Sequence, residues 1–134
     1  MITLDTSALY ARLNRRDPDH ERVIRAMARE RRPWIVPSAV LGELGHLMAQ
    51  RGRPSALDTF LQNIETGTFI LDAGSSDVDR VRRLVQRYDD LPLGLVDAIV
   101  IACAERNGGR VATLDQRHFG VVAREGKLTI VPEP

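Results

Sequence analysis

The first strand-to-helix junction decides the fold, and it reads Ile2-Thr3-Leu4-Asp5-Thr6-Ser7-Ala8-Leu9. Its first three residues predict a short strand, and the polar residues 5–7 can cap a helix that starts near Ala8. The pattern returns late in the chain, where residues 111–114 predict a strand that meets Asp115. Because parallel sheets carry their chemistry at the carboxyl ends of the strands, Asp5 and Asp115 are candidate functional residues. Helix capping is the alternative role for each of them.

Strands and helices alternate along the rest of the 134-residue chain. Further strands are predicted at 34–36, 68–71 and 128–131. Helices are predicted at about 19–32, from Pro37-Ser38 (with Ser38 as the cap) to a stop at Gly52, and at 55–65, 76–88 and 95–106. Pro92 and Gly94 interrupt the chain before the last of these helices. The alternation predicts a single α/β domain, 1–134, with helices on both faces of a central, mostly parallel sheet of four to five strands.

The composition is that of an ordinary globular protein. Hydrophobic residues make up 43% of the chain, charged residues 28% and aromatic residues only 4%, so the core must be aliphatic. The single cysteine, Cys103, lies in an apolar run; it excludes an internal disulfide and a cysteine-rich zinc site, and we expect it to be buried. Neither a signal-peptide pattern nor a membrane-length apolar run is found, which favours a cytoplasmic protein without a membrane partner.

The cations are almost all arginine, with Lys127 as the only lysine, although the net charge is only +1. Arginine is suited to bidentate contact with phosphate, but solvated helix faces paired with nearby acids would give the same pattern. The arginines cluster at positions 12, 15 and 16, at 22, 25, 29, 31 and 32, and at 80, 82, 83 and 87.

Asp97 is the only ionisable residue between Leu91 and Ala104. The residues around it are apolar on every side of the predicted helix, so this helix is expected to be buried. A buried carboxylate must be protonated, paired or bound to a metal. Asp97 is therefore either a functional acid or one half of an ion pair with an arginine.

Glu43 lies on the edge of the apolar stripe that Val40, Leu44 and Leu47 form at helical spacing. An ordinary surface glutamate at the rim of a core helix is the alternative. Convergence of the four acids would create strong repulsion that only a cation can offset. Oxygen ligands without clustered histidine or cysteine favour Mg²⁺, with Mn²⁺ as a substitute, and such an ion can activate water for phosphodiester hydrolysis.

Within this hypothesis Asp5 and Asp97 hold the ion directly, whereas Glu43 and Asp115 act through water or complete a second site. The hydroxyls of Thr6, Ser7 and Thr113 are expected to orient the acids by hydrogen bonds. His118, close to Asp115, is expected to pack locally or to face solvent, with contact to a substrate phosphate as the alternative.

Four segments resemble the acidic motifs of the PIN-domain family, in the right order and over essentially the whole chain. They are Leu4-Asp5-Thr6-Ser7-Ala8-Leu9, Pro37-Ser38-Ala39-Val40-Leu41-Gly42-Glu43, Leu91-Pro92-Leu93-Gly94-Leu95-Val96-Asp97-Ala98 and Thr113-Leu114-Asp115-Gln116-Arg117-His118-Phe119. The compact form most resembles VapC toxins. The resemblance implies a PIN-like three-layer α/β/α sandwich and a Mg²⁺-dependent endoribonuclease that cuts structured RNA such as transfer or ribosomal RNA. It also implies a homodimer and a VapB-type antitoxin.

One position departs from that pattern. Some members of the family carry a further acid two positions after the fourth motif's aspartate, and Arg117 stands there in this chain. A full ligand set for two metals is therefore in doubt; Asp90 is a substitute ligand or a surface residue after a helix.

Two other classes of function remain open at the level of the sequence. Phosphotransfer on an aspartate also uses acids at strand ends, and it would need Lys127 near the phosphate. A non-catalytic module whose acids bind the arginines of a partner would show no stabilisation by metal ions.

Overall fold

The computed structural model describes residues 1–51, 53–91 and 93–134. The strands are β1 (Thr3–Leu4), β2 (Trp34–Pro37), β3 (Phe69–Asp72), β4 (Arg110–Ala112) and β5 (Thr129–Val131). The helices in these ranges are α1 (Thr6–Leu13), α2 (His20–Ala28), α3 (Val40–Gln50), α4 (Pro54–Glu65), α5 (Val78–Arg87), α6 (Leu95–Arg106) and α7 (Gln116–Arg124). Gly52 and Pro92, the predicted helix stop and chain interruption, lie outside the described residues.

The five strands form one parallel sheet in the order β3-β2-β1-β4-β5. The central strand β1 pairs Thr3 with Ile35 of β2 on one side and with Val111 of β4 on the other. Crossovers through α1–α4 run from β1 towards β3, and those through α5–α7 run the opposite way. Right-handed crossovers place the two sets on opposite faces, which confirms the predicted three-layer α/β/α sandwich. The direction in which the chain adds strands reverses between β1 and β4. A ligand site is expected at the carboxyl ends of these two strands.

The core is largely aliphatic, as the composition predicts, and three of the aromatic rings pack together beside β3. Phe69 of β3 packs against Trp34 and Phe60, with ring centroids 5.5 and 5.1 Å apart. Cys103 is buried on α6, and its Sγ lies 3.7 Å from Oγ1 of Thr3. No described helix has the length and apolar character needed to cross a bilayer.

Several predicted helix ends were wrong by a few residues. Helix α1 begins at Thr6 because the Asp5 carbonyl already accepts the Leu9 N–H at 3.1 Å. Helix α2 ends at Ala28, with Arg29 as its C-cap, rather than near Arg32. Pro33 disfavours helical conformation at Arg32, and the chain leaves the helix before that residue.

The predicted cap at Ser38 was also wrong. Ala39 occupies the N-cap position of α3, and no side chain caps this helix. Ser38 instead accepts the Leu41 N–H through its backbone carbonyl at 3.1 Å. A first turn that is closed by the backbone leaves the hydroxyl with no role in starting the helix.

Helix α6 has the predicted bounds but is less buried than its sequence indicates. Burial is continuous from Val100 to Ala104, whereas the Leu95 side chain is 64% exposed and Ile99 is half-buried. A helix that is apolar on every side is expected to be buried on every side. In the described residues, the first turns of α6 are only partly buried.

Candidate active site

Asp5 follows the central strand β1 and is only 5% exposed. Its Oδ2 accepts hydrogen bonds from Oγ of Ser7 at 2.8 Å and from Oγ1 of Thr113 at 2.9 Å. It occupies the N-cap position of α1 without making a side-chain cap hydrogen bond, so the capping alternative does not account for it. Burial raises the pKa of Asp5, and these hydroxyl donors offset the rise only in part.

Asp97 lies in the first turn of α6, where the helix dipole favours a negative charge. Burial, and after it the negative charges of Asp5, Asp115 and Glu43, together raise its pKa to about 6, against an opposing effect of His118. No arginine of the described chain forms a salt bridge with it. The structure therefore brings the four acids together, and the ion-pair alternative for Asp97 is not found.

Asp115 and His118 form a bonded pair at the start of α7. Oδ1 of Asp115 accepts the His118 N–H at 3.1 Å, which is a helix cap, while Oδ2 lies 2.8 Å from Nδ1 of His118. One ligand atom each of Asp97, Asp115 and His118 lie within 4.8 Å of one another. His118 thus packs locally, but its place in the acidic cluster was not predicted from the sequence. The three-residue spacing at a helix start was the available signal, since such residues share a face.

Glu43 reaches the cluster from α3, although it is largely exposed. Its Oε1 accepts a hydrogen bond from Oγ1 of Thr6 at 2.5 Å, which ties α3 to the start of α1. Val40 and Leu44 of the predicted stripe are buried, so the helix is anchored in the core while Glu43 projects at its rim.

The three hydroxyl residues make the hydrogen bonds that were expected of them. Besides binding Asp5, Oγ1 of Thr113 accepts the Asp115 N–H at 3.0 Å, and Oγ of Ser7 accepts the Leu114 N–H at 3.0 Å. The ends of β1 and β4 are thus cross-linked through side chains. This network fixes the direction in which the Asp5 carboxylate points.

The donor set fits a divalent cation. Both side-chain hydrogen bonds to Asp5 use Oδ2, so Oδ1 has no side-chain donor within the described ranges. Carboxylate oxygens of this kind suit Mg²⁺ or Mn²⁺. Nδ1 of His118 faces a carboxylate oxygen and is suited to orienting Asp115. Asp90 and Arg117 are both exposed.

Lys127 lies at the opposite edge of the sheet. The Lys127 carbonyl lies close to Gly109, the residue before β4, since a Cβ added to Gly109 would be 3.0 Å from it. The acids, in contrast, follow the carboxyl ends of β1 and β4. About 13 Å of strand separate Gly109 from Thr113. The lysine that aspartate phosphotransfer would need is therefore far from the carboxylates.

This fold, with acids at the reversal point of its winding, is that of a nuclease-like α/β sandwich, and comparison with known families identifies it. The model of the PIN domain matches residues 2–125, and the chain belongs to this family.

Individual relatives narrow the class to the VapC type. Ribonuclease VapC26 of Mycobacterium tuberculosis (strain ATCC 25618 / H37Rv) is 31% identical over 135 residues, which cover 98% of this chain and 100% of the relative. The crystal structure of M. tuberculosis VapC20, a sarcin-ricin loop cleaving toxin, has a TM-score of 0.78 at 22% identity and covers 96% of this chain and 97% of its own. VapBC2 from Rickettsia felis, bound to a DNA fragment from their promoter, has a TM-score of 0.67 at 20% identity, with 97% of both chains covered.

Proposed function

We propose that the protein is a metal-dependent endoribonuclease that cuts folded RNA, such as transfer or ribosomal RNA, in the cytoplasm. One observation carries this proposal: four acids from separate segments meet at the reversal point of a PIN fold without a described arginine to neutralise them. The names of the relatives support it, since one is a ribonuclease and another is a toxin that cleaves the sarcin-ricin loop.

The four acids would have different roles. Asp5 and Asp97 would hold Mg²⁺ directly, because Oδ1 of Asp5 has no side-chain donor and Asp97 has no cationic partner among the described residues. Both oxygens of Asp115 are engaged by His118, so Asp115 and the more exposed Glu43 act through water or at a second ion. When bound, the ion activates water and neutralises charge on the phosphate. The products would carry a 5′-phosphate and a 3′-hydroxyl.

We further propose a homodimer that is inhibited by a VapB-type antitoxin. The VapBC2 complex among the structural neighbours supports the antitoxin. Exposed apolar side chains, notably Val78 and Leu95 at 64% each, support a contact between copies. Size-exclusion chromatography with light scattering would measure the oligomeric state.

Cleavage mapping on total RNA, with Mg²⁺ and with EDTA, tests the nuclease assignment. The wild type should cut at discrete sites only with the metal, and Asp97→Asn should lose activity by orders of magnitude. Asp79→Asn on the surface of α5 is the matched control, since it makes the same chemical change at an exposed residue. Cleavage that persists in EDTA, or in a clean Asp97→Asn preparation, would refute the assignment.

A further inference from the structure

A groove of about 720 Å³ lies between α2 and the edge strand β5. One wall carries Arg22, Arg25 and Arg29, whose spacing of three and four residues places them on one face of the helix. These three positions span about 10 Å along the helix axis. The other wall is β5 and the residues that follow it.

The groove is strongly positive. Arg31 and Arg110 add to Arg22 and Arg25 of α2 and to Arg29 at its C-cap, and the acids that line the groove are Glu30 and Glu133. Glu30 is neutralised by Arg110, with contacts of 2.6 and 3.1 Å. Arg25, Arg29 and Arg31 are exposed and form no ion pair within the described part of the chain.

One end of the groove lies at the carboxyl end of β5, on the side of the sheet where the acids follow β1 and β4. Helix α2 runs antiparallel to β5: Arg22 donates to the Glu133 carbonyl at 2.7 Å, and Glu30 meets Arg110 at the amino end of β4. At the carboxyl end of β5, Val131 accepts the Thr113 N–H at 3.1 Å. Thr113 in turn holds Asp5, and β5 lies two strand spacings, about 10 Å, from β1.

We propose that this groove binds the sugar-phosphate backbone of the RNA substrate beside the segment held at the acids. The inference rests on the proposed RNA substrate and adds a second contact region for it. Arg22 is paired with Asp19, but Arg25 and Arg29, four residues apart on one face, form no ion pair within the described residues. Such arginines fit neighbouring phosphates, which they contact in a bidentate manner.

An acidic peptide strand added to β5 is the competing occupant, and the edge is poorly built for it. The backbone groups of Thr129 and Val131 form hydrogen bonds with the β4 side. Within β5, only the backbone N–H and C=O of Ile130 therefore point to the free edge, and Pro132, which has no N–H, follows directly after the strand.

The test measures RNA binding by fluorescence anisotropy in the Asp97→Asn background, where cleavage does not interfere. The probe is a fluorescein-labelled RNA hairpin with single-stranded tails. Arg25→Gln combined with Arg29→Gln should weaken binding roughly tenfold or more at physiological salt and make the slope of log K against log [NaCl] shallower by about 1.5. Arg82→Gln combined with Arg83→Gln, which removes the same charge from exposed positions on α5, should change neither quantity.

Unchanged affinity and slope in the α2 variant would overturn the proposal, and so would an equal loss in the α5 control. If the α2 variant loses binding to a labelled polyglutamate peptide but still binds RNA as the wild type does, the groove is assigned to an acidic peptide instead. The two proposals fail separately: if the wild type does not cleave RNA but binding depends on Arg25 and Arg29, the groove stands and the nuclease assignment falls.

Discussion

Asp97 carries an electrostatic penalty that a neutral side chain would remove. Its pKa of about 6 exceeds the ordinary 3.8, so the folded protein takes up a proton in this range that the unfolded chain does not. Stability of the metal-free protein therefore falls as the pH rises from 3.8 through about 6, and the whole penalty is present at neutral pH.

Asp97→Asn should thus stabilise the protein in EDTA at neutral pH while it abolishes activity. Discounted for the solvent that reaches this half-buried group, the expected gain is about 1 kcal/mol. Urea unfolding at several pH values measures it, and the gain should vanish below pH 3.8. An Asn variant that is less stable than the wild type at neutral pH would show that burial and the neighbouring acids do not disfavour the Asp97 charge.

Thr113 is a positioning residue whose hydroxyl serves Asp5 and Asp115 at once. Thr113→Val keeps the shape but leaves buried groups without their partner, so we expect a loss of about 1 to 2 kcal/mol in stability and at least about tenfold in kcat. Thr113→Ser restores the hydroxyl and should recover most of kcat. A Ser variant as inactive as the Val variant would indicate that the methyl group, and not the hydrogen bonds, is what the site needs.

At the scale of the elements, Arg106 joins the end of α6 to the β3–α5 connection. It donates to Asp72 at 2.6 and 3.0 Å and to Asp77 at 2.9 and 3.0 Å. These hydrogen bonds hold the pKa of Asp72 below 3.8. Their contribution is present above that pH and is lost as the pH falls through the lowered pKa.

Arg106→Gln should destabilise the protein by about 2 kcal/mol at neutral pH, because the buried Asp77 loses its cation. Arg83→Gln, which breaks an exposed pair with Asp79, should cost less than about 0.5 kcal/mol. The free energy of unfolding of both variants, measured in denaturant, shows whether the Arg106 network stabilises the end of α6 or is only a surface contact. The stabilising role of Arg106 would be contradicted if both variants lost the same stability. It would also be contradicted if the stability difference between Arg106→Gln and the wild type did not decrease at acid pH.

Element types were predictable from the sequence because apolar periodicity reports which face is buried. Exact ends were not, since they depend on interactions outside the pattern, such as the backbone closure at Ser38. The pairing of Asp115 with His118 also required coordinates, because an i,i+3 pair at a helix start is common without any function.

For the whole molecule, strand order was the decisive unknown. The sequence places Asp5 and Asp115 after strands, but their adjacency follows from β1 and β4 being neighbours, which no local pattern specifies. The basic groove shows the same limit. Arginines 22, 25 and 29 form an evident cluster in the sequence, yet only the packing of α2 beside β5 turns them into one wall of a groove.

The four acids come from segments spread from residue 5 to residue 115 of a 134-residue chain. Until Asp115 and β4 have been synthesised, the chain therefore lacks one of the four acids and the strand that places it beside β1.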